Sequence, residues 1–388
     1  MEDTVRVAGQ LLTARLGAQV VLAEPEDLGG SSHSTVLRVR VARTPFTLPR
    51  TLVIKHNRAE PTGAIDPFAQ EAASCQLFTA FRKEDRPGPE LIACDPARRL
   101  LVLEDLGRSG TVADLLQSTD TGDAPRAEQA LLAWSHALGK LHAATRDREP
   151  DFAALLRRLG VPEMGDPLAE DGRAAIAALP ALLEQELGVT TPPQVLADAH
   201  RAAALLDGTP CRAFSPAGLG PDNAVMGQGV RFIDFEGGGF RSALLDAAQL
   251  RAPLPSSVVA LALPPGMGEA MVSAWHAEVV ESWPALSDRA LLARRLLDGQ
   301  LVWTWLCTSW LLPLPRPRTP VAVAPSYADL AEVLDPGGVL VDRWERLSRE
   351  ADALDCPATA AHAAQVAGAL RNRFRVTGEA LPRYPVFR

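Results

Sequence analysis

The sequence predicts an α+β protein of two lobes, a small antiparallel-sheet lobe at the N-terminal end and a larger, mainly helical lobe after it. Three observations carry that expectation. STVLRVRV (34–41) alternates Leu37, Val39 and Val41 with Arg38 and Arg40, and the apolar runs TLVIKH (51–56) and ARRLLVLEDL (97–106) follow it; a period of two marks half-buried strands. AEQALLAWSHALGKLHAAT (127–145) spaces Leu131, Trp134, Leu138 and Leu141 by three, four and three residues, the pattern of an amphipathic helix. With 388 residues and 47% hydrophobic content, the chain is long enough to fill two cores.

The elements follow in order. EDLGGSSHST sets a Gly-Gly-Ser-Ser turn directly before the alternating strand. Gly29 and Gly30 permit a tight backbone there, and Ser31, Ser32 and His33 are placed to cover phosphates through backbone amides. Lys55 interrupts the next strand. The chain has only three lysines, Lys55, Lys83 and Lys140, among its 39 basic residues, so a lysine inside a strand asks for a reason: either a compact charge for an anion or an edge-strand side chain snorkelling to water. DPFAQEAASCQLFTAF (66–81) reads as a helix with Phe68, Ala72, Cys75, Phe78 and Phe81 on one face. Its Glu71 is either the partner of Lys55 or a solvent-facing glutamate. PELIACDPARRLLVLEDLG adds two short strands. His142 lies beside the apolar face of the 127–145 helix and reads as a satisfied core histidine. The segments 147–170 and 187–194 read as irregular connections, and PLPRPRTP and PVAVAP as a loop over 312–325.

The most informative stretch is AFSPAGLGPDNAVMGQGVRFIDFEGGGF (213–240). The turn GPDN offers Asn223, a short hairpin follows, and the apolar strand VRFIDFEGG carries Asp234 where it gives way to glycines. An Asn carbonyl and an Asp carboxylate eleven residues apart supply the oxygen ligands that magnesium requires, at a gap used by phosphotransferases.

This stretch resembles the catalytic and metal-binding loops of the aminoglycoside phosphotransferase-like branch of the protein-kinase superfamily, whose pattern is His-Gly-Asp-x-x-x-x-Asn followed by a strand ending in Asp-Phe-Glu. Pro216, Ala217 and Gly218, then Pro221, Asp222 and Asn223, and later Asp234, Phe235 and Glu236 fall on that pattern. The resemblance implies a bilobal protein-kinase-like fold, with an N-lobe over 1–106 and a C-lobe over 107–388. It implies ATP or another nucleoside triphosphate, with Mg²⁺ on Asn223 and Asp234. Gly29, Gly30, Ser31, Ser32, Lys55 and Glu71 would bind the nucleotide, and Glu104 to Leu106 would form the hinge that meets the adenine. Asp246 matches a further aspartate of that family with a structural role. The departure is at Gly218, where the family has its catalytic aspartate. Asp222, in the same turn, is the nearest carboxylate able to replace it as a base, and Glu236 is the other.

Composition excludes several classes. A formal charge of −8 argues against a nucleic-acid partner. Five cysteines without a Cys-x-x-Cys pair, and no export signal at MEDTVRVAGQLL, predict reduced thiols and a cytoplasmic protein. GQLVWTWLCTSWLLPLP (299–315) is too short and too rich in Trp for a membrane span and reads as a buried helix. Trp303, Trp305 and Trp310 read as core, with an acceptor pocket as the other reading. The acidic residues Glu163, Asp166, Glu170 and Asp171 read as a solvated helix face, with recruitment of a cationic acceptor as the other reading. Neither a phosphate loop with Gly-Lys-Ser/Thr nor a Gly-x-Ser-x-Gly elbow is present.

Two functions follow. One is an ATP-dependent phosphotransferase with a degenerate catalytic loop, acting on a hydroxyl of a small molecule or on a peptide Ser/Thr. The other is a pseudokinase that binds nucleotide, or serves as a scaffold, and recruits substrate or activates a partner enzyme; it predicts an exposed apolar patch on the C-lobe. Two tyrosines are too few for an aromatic cage around a quaternary amine, which argues against choline as the acceptor unless tryptophans contribute.

Overall fold

The computed structural model describes residues 1–30, 34–44, 48–58, 66–161, 165–252, 260–313 and 336–388. It divides into two compact units, one of Met1–Ser109, Pro150–Gly165 and Val225–Gly239, the other of Gly110–Glu149, Asp166–Ala224 and Phe240–Arg388.

The first unit is built on a five-stranded antiparallel sheet of β1 (Val21–Gly29), β2 (Ser34–Arg43), β3 (Thr51–Asn57), β4 (Leu91–Asp95) and β5 (Leu100–Glu104), in the order β1-β2-β3-β5-β4. The alternation in β2 does what period two requires: Leu37 and Val39 are buried and Arg40 is exposed. Leu37, Val39, Leu52, Ile54, Leu100 and Val102 form one core with Val5, Ala8 and Leu12 of a helix α1 (Glu2–Leu16). The helix α2 (Pro67–Thr79) starts where expected and for a clear reason. Asp66 caps it by accepting hydrogen bonds from the Phe68 and Ala69 amides at 3.0 and 3.3 Å, and Pro67 occupies the first turn, where its missing N–H is not needed.

The second unit is mainly helical: α3 (Val112–Leu116), α4 (Ala124–Thr145), α6 (Pro167–Leu187), α7 (Pro193–Ala202), α8 (Ala243–Gln249), α9 (Met267–Val279), α10 (Arg289–Leu311), α11 (Pro336–Ala353) and α12 (Pro357–Phe374). It also holds β6 (Arg212–Ser215), paired with β9 (Gly239–Ser242), while the hairpin of β7 (Ala224–Met226) and β8 (Val230–Phe232) falls in the first unit. Trp303 and Trp305 are buried in α10, and the Trp303 indole donates to the Leu245 carbonyl at 2.8 Å. They belong to the core. No helix among the described residues is long and apolar enough to cross a membrane.

Two expectations change. The 147–170 segment is not irregular: α5 (Glu149–Arg158) occupies its first half. Its Phe152 and Leu156, four residues apart, are buried, a two-residue apolar stripe too short to stand out among the surrounding charges. Asp166 caps α6 and accepts a hydrogen bond from Arg241 Nε at 2.9 Å, so it is an anchored residue and not part of a solvated face; Glu163 lies outside the described residues. The 314–325 part of the expected proline-rich loop lies outside the described residues.

Candidate active site

The first unit brings together three residues that the sequence holds far apart. Lys55, in the middle of β3, extends its ammonium to within 2.8 Å of the Glu71 carboxylate on α2 and 2.5 Å of Asp234 Oδ1. Lys55 and Glu71 are 7% and 2% exposed, so neither the snorkelling lysine nor the solvent-facing glutamate is what forms. Burial opposes the charge on Lys55, yet Asp234, Glu71 and Glu236 outweigh it and hold its pKa above the ordinary lysine value. Burial pushes the Glu71 carboxyl up, against the Lys55 charge and a hydrogen bond from the Phe235 amide. One ammonium thus faces three carboxylates, which keep it charged in a buried setting.

Asp234 is placed by its neighbours. It follows β8 in the left-handed region, φ 66°, a conformation that a non-glycine residue holds only when the surroundings enforce it. Phe235 supplies the hold: it is fully buried and packs edge-on against Phe78 of α2 with ring centroids 4.9 Å apart. A Cβ on Gly88 would meet the Phe235 ring at 2.7 Å, so only glycine lets the ring in. The helix that carries Glu71 therefore also anchors Asp234. The Asp234 side chain remains 39% exposed, leaving the carboxylate an open side.

The ends of the sheet carry the other expected nucleotide residues. Gly29 and Gly30 have φ of 92° and 141°, and a Cβ on Gly30 would lie 2.4 Å from the Ser34 carbonyl oxygen; Ser31 and Ser32 lie outside the described residues. Glu104 closes β5 with its carboxylate taken by Arg231 Nη1 at 2.8 Å and the Glu90 amide at 3.2 Å. Asp105 is held by Arg38 at 2.9 Å, and Arg38 also donates to the Gly107 carbonyl at 2.7 Å. Two arginines thus fix the segment leading to Leu106 by its acidic side chains.

In the second unit the stretch 215–223 forms a tight turn. The Gly218 amide donates to the Pro216 carbonyl at 2.8 Å and the Leu219 amide to the Ala217 carbonyl at 3.1 Å, with Ala217 at φ 61°. Asn223 Nδ2 donates to the Gly218 carbonyl at 3.3 Å, which turns its Oδ1 the other way. Asp222 is half-buried. Behind the turn, His142 is fully buried between Asp246 and Trp275, with Nε2 3.1 Å from Asp246 Oδ2 and Nδ1 2.9 Å from the Trp275 indole nitrogen. Asp246 Oδ1 accepts from Ser215 Oγ at 2.9 Å. Sequence reasoning placed His142 in the core but missed Trp275 and Ser215.

The open carboxylate of Asp234 is a donor of the kind that magnesium takes beside phosphates. Among the described residues no group of three or more His, Cys, Asp or Glu side chains forms a cage for a metal. Magnesium does not need one, since it is commonly held by one or two carboxylates together with phosphates and water.

No protein-family model matches the sequence, and no curated protein matches it. Solved structures do. A choline kinase from Cryptosporidium parvum aligns over 94% of this chain and 99% of its own, with a TM-score of 0.50 at 10% identity. The fold is protein-kinase-like. A choline kinase from Streptococcus pneumoniae (TM-score 0.45, 14% identity, 90% of this chain and 98% of that one) and a Plasmodium vivax ethanolamine kinase (TM-score 0.44, 10% identity, 81% and 82%) align less well. Within this fold the five-stranded sheet is the N-terminal part and the helical unit the C-terminal part.

Proposed function

We propose that this chain is an ATP-dependent phosphotransferase of the aminoglycoside-kinase-like type, acting on a hydroxyl of a small molecule with a degenerate catalytic loop. The observation that carries the reading is the buried Lys55 ammonium, held at 2.8 Å by Glu71 and at 2.5 Å by Asp234. A lysine fixed in this way by a helix glutamate is what positions nucleotide phosphates in kinases. In this reading Lys55 meets the phosphates when Asp234 turns to the metal, Glu71 keeps the ammonium in place, and the sequence pattern adds Asn223 as a second metal ligand. Bound Mg²⁺ would neutralise charge on the phosphates. Gly29 and Gly30, at φ of 92° and 141°, keep the end of β1 free of side chains, as a backbone that covers phosphates needs, and the 104–106 segment, fixed by Arg231 and Arg38, offers its backbone to the base. The fold shared with a choline kinase supports a small-molecule acceptor. Choline itself does not follow, and the acceptor is a hydroxyl compound to be found by screening. A cytoplasmic location, from the reduced thiols, belongs to the same reading.

A second reading has its own observation. Gly218 falls where the resemblance puts a catalytic aspartate, and a missing general base typically lowers turnover by ~100- to 10,000-fold. A pseudokinase would keep nucleotide and Mg²⁺ binding and lose transfer. Within the enzyme reading Asp222 is the replacement base. Calorimetry of ATP binding with and without Mg²⁺, paired with phosphate transfer to a panel of hydroxyl acceptors and Ser/Thr peptides, separates the two. Mg²⁺-dependent binding with transfer that disappears in Asp222→Ala supports the enzyme; binding without transfer supports the pseudokinase; absence of binding removes both nucleotide readings.

A further inference from the structure

We propose that Trp275 and His142 are positioning residues for the 215–218 turn, acting on it through Asp246 and Ser215. The argument follows the protons. An indole N–H can only donate, so His142 Nδ1, 2.9 Å from the Trp275 nitrogen, is the bare, accepting nitrogen, and the ring proton sits on Nε2. That N–H donates to Asp246 Oδ2 at 3.1 Å. Ser215 Oγ accepts the Ala217 amide N–H at 3.2 Å and donates its own proton to Asp246 Oδ1 at 2.9 Å. Each donor direction is fixed by the one beside it.

All four side chains are at most 1% exposed, so water does not stand in for a lost partner. The last acceptor in the series holds the amide of Ala217, the residue kept at φ 61°, and an enforced left-handed residue of this kind relaxes when its hold is removed. Gly218 comes directly after it. The first donor stands on α9, which is locked to α4 where Gly139 lets the two backbones approach: a Cβ there would meet the Trp275 carbonyl oxygen at 2.7 Å. A turn in the 213–240 stretch is thus shaped from a helix that contributes nothing to that stretch's sequence motif.

The test rests on the proposed phosphotransfer for one readout only. Trp275→Phe keeps the ring bulk and removes the donor, His142→Leu removes the whole link, and His142→Gln restores a donor toward Asp246. Amide hydrogen exchange is measured on the nucleotide-free protein. Exchange at Ala217 and Gly218 is expected to accelerate about tenfold in Trp275→Phe and His142→Leu, the effect of losing one buried hydrogen bond, to recover in His142→Gln, and to stay unchanged in α12. Where phosphotransfer is detected, kcat should fall with the turn's protection while nucleotide affinity stays the same. Unchanged protection of Ala217 in Trp275→Phe, or a rise spread evenly over the helical unit, would overturn the proposal. Failure of phosphotransfer alone leaves the exchange result standing.

Discussion

Lys55 and Asp234 meet at 2.5 Å across 179 positions of sequence. Their contact joins the middle of a strand to the residue just past a hairpin, and α2 serves both, through Glu71 on one side and Phe78 on the other. The charge balance of the cluster and the strained backbone of Asp234 are two aspects of one site, from which the following outcomes are expected.

Lys55→Met should weaken nucleotide binding about tenfold to a hundredfold, the range of one charge-assisted hydrogen bond. It should also destabilise the protein by ~3 kcal/mol, because it leaves Glu71 buried without its cation. Adding Glu71→Leu should return part of the stability and none of the binding. Denaturant titration beside calorimetry distinguishes the two effects; a double variant that binds like the wild type contradicts the role given to Lys55.

Gly218→Asp should raise transfer by about 100-fold or more if a missing base is what limits turnover. The comparison is the initial rate of phosphate transfer on the same acceptor, wild type against variant. No gain, with the fold intact, means that the turn does not face the acceptor hydroxyl.

His362 gives the helical unit an acid limit. It is buried against Trp344 with a ring centroid distance of 5.9 Å, and neither ring nitrogen has a hydrogen-bond partner among the described residues. Burial lowers its pKa from 6.5 to about 4. As pH falls through 6.5 the unfolded chain takes up a proton that the folded one refuses until about pH 4, so stability declines across that window, by about 3 kcal/mol at most. His362→Leu should flatten this part of a Tm-against-pH curve; an unchanged slope assigns the loss to other groups.

Gly139→Ala should destabilise by ~1–3 kcal/mol through overpacking, since the new methyl would lie 2.7 Å from both Glu278 Cβ and the Trp275 carbonyl oxygen. Urea unfolding measures it. A neutral substitution would mean that α4 and α9 can separate freely.

Much of this was legible in the sequence, unevenly. Lys55 stood out because lysine is rare in this chain and strands seldom bury one, and the apolar face of Phe68, Ala72, Cys75, Phe78 and Phe81 put Glu71 on a definite helix. The alternation of Leu37 and Val39 with Arg38 and Arg40 gave the strand its faces. What failed had weak local patterns: α5 buries two side chains among charged neighbours. Polar pairing across long separations leaves no periodic trace, so the bonds of His142 to Trp275 and Asp246, 133 and 104 positions away, emerge only once the chain is folded. The same holds for Arg38 on Asp105, whose strand pattern shows an outward arginine but not the carboxylate it reaches.

The most direct measurement is the affinity for ATP with and without Mg²⁺, by calorimetry, on the wild type and on Asp234→Ala. A cluster built for a metal-nucleotide predicts binding that Mg²⁺ strengthens in the wild type, and a variant in which that strengthening is lost while Lys55 and Glu71 remain paired. Binding that ignores Mg²⁺ in both proteins, or no binding in either, would contradict it and leave the Lys55–Glu71–Asp234 contact as a purely structural ion pair.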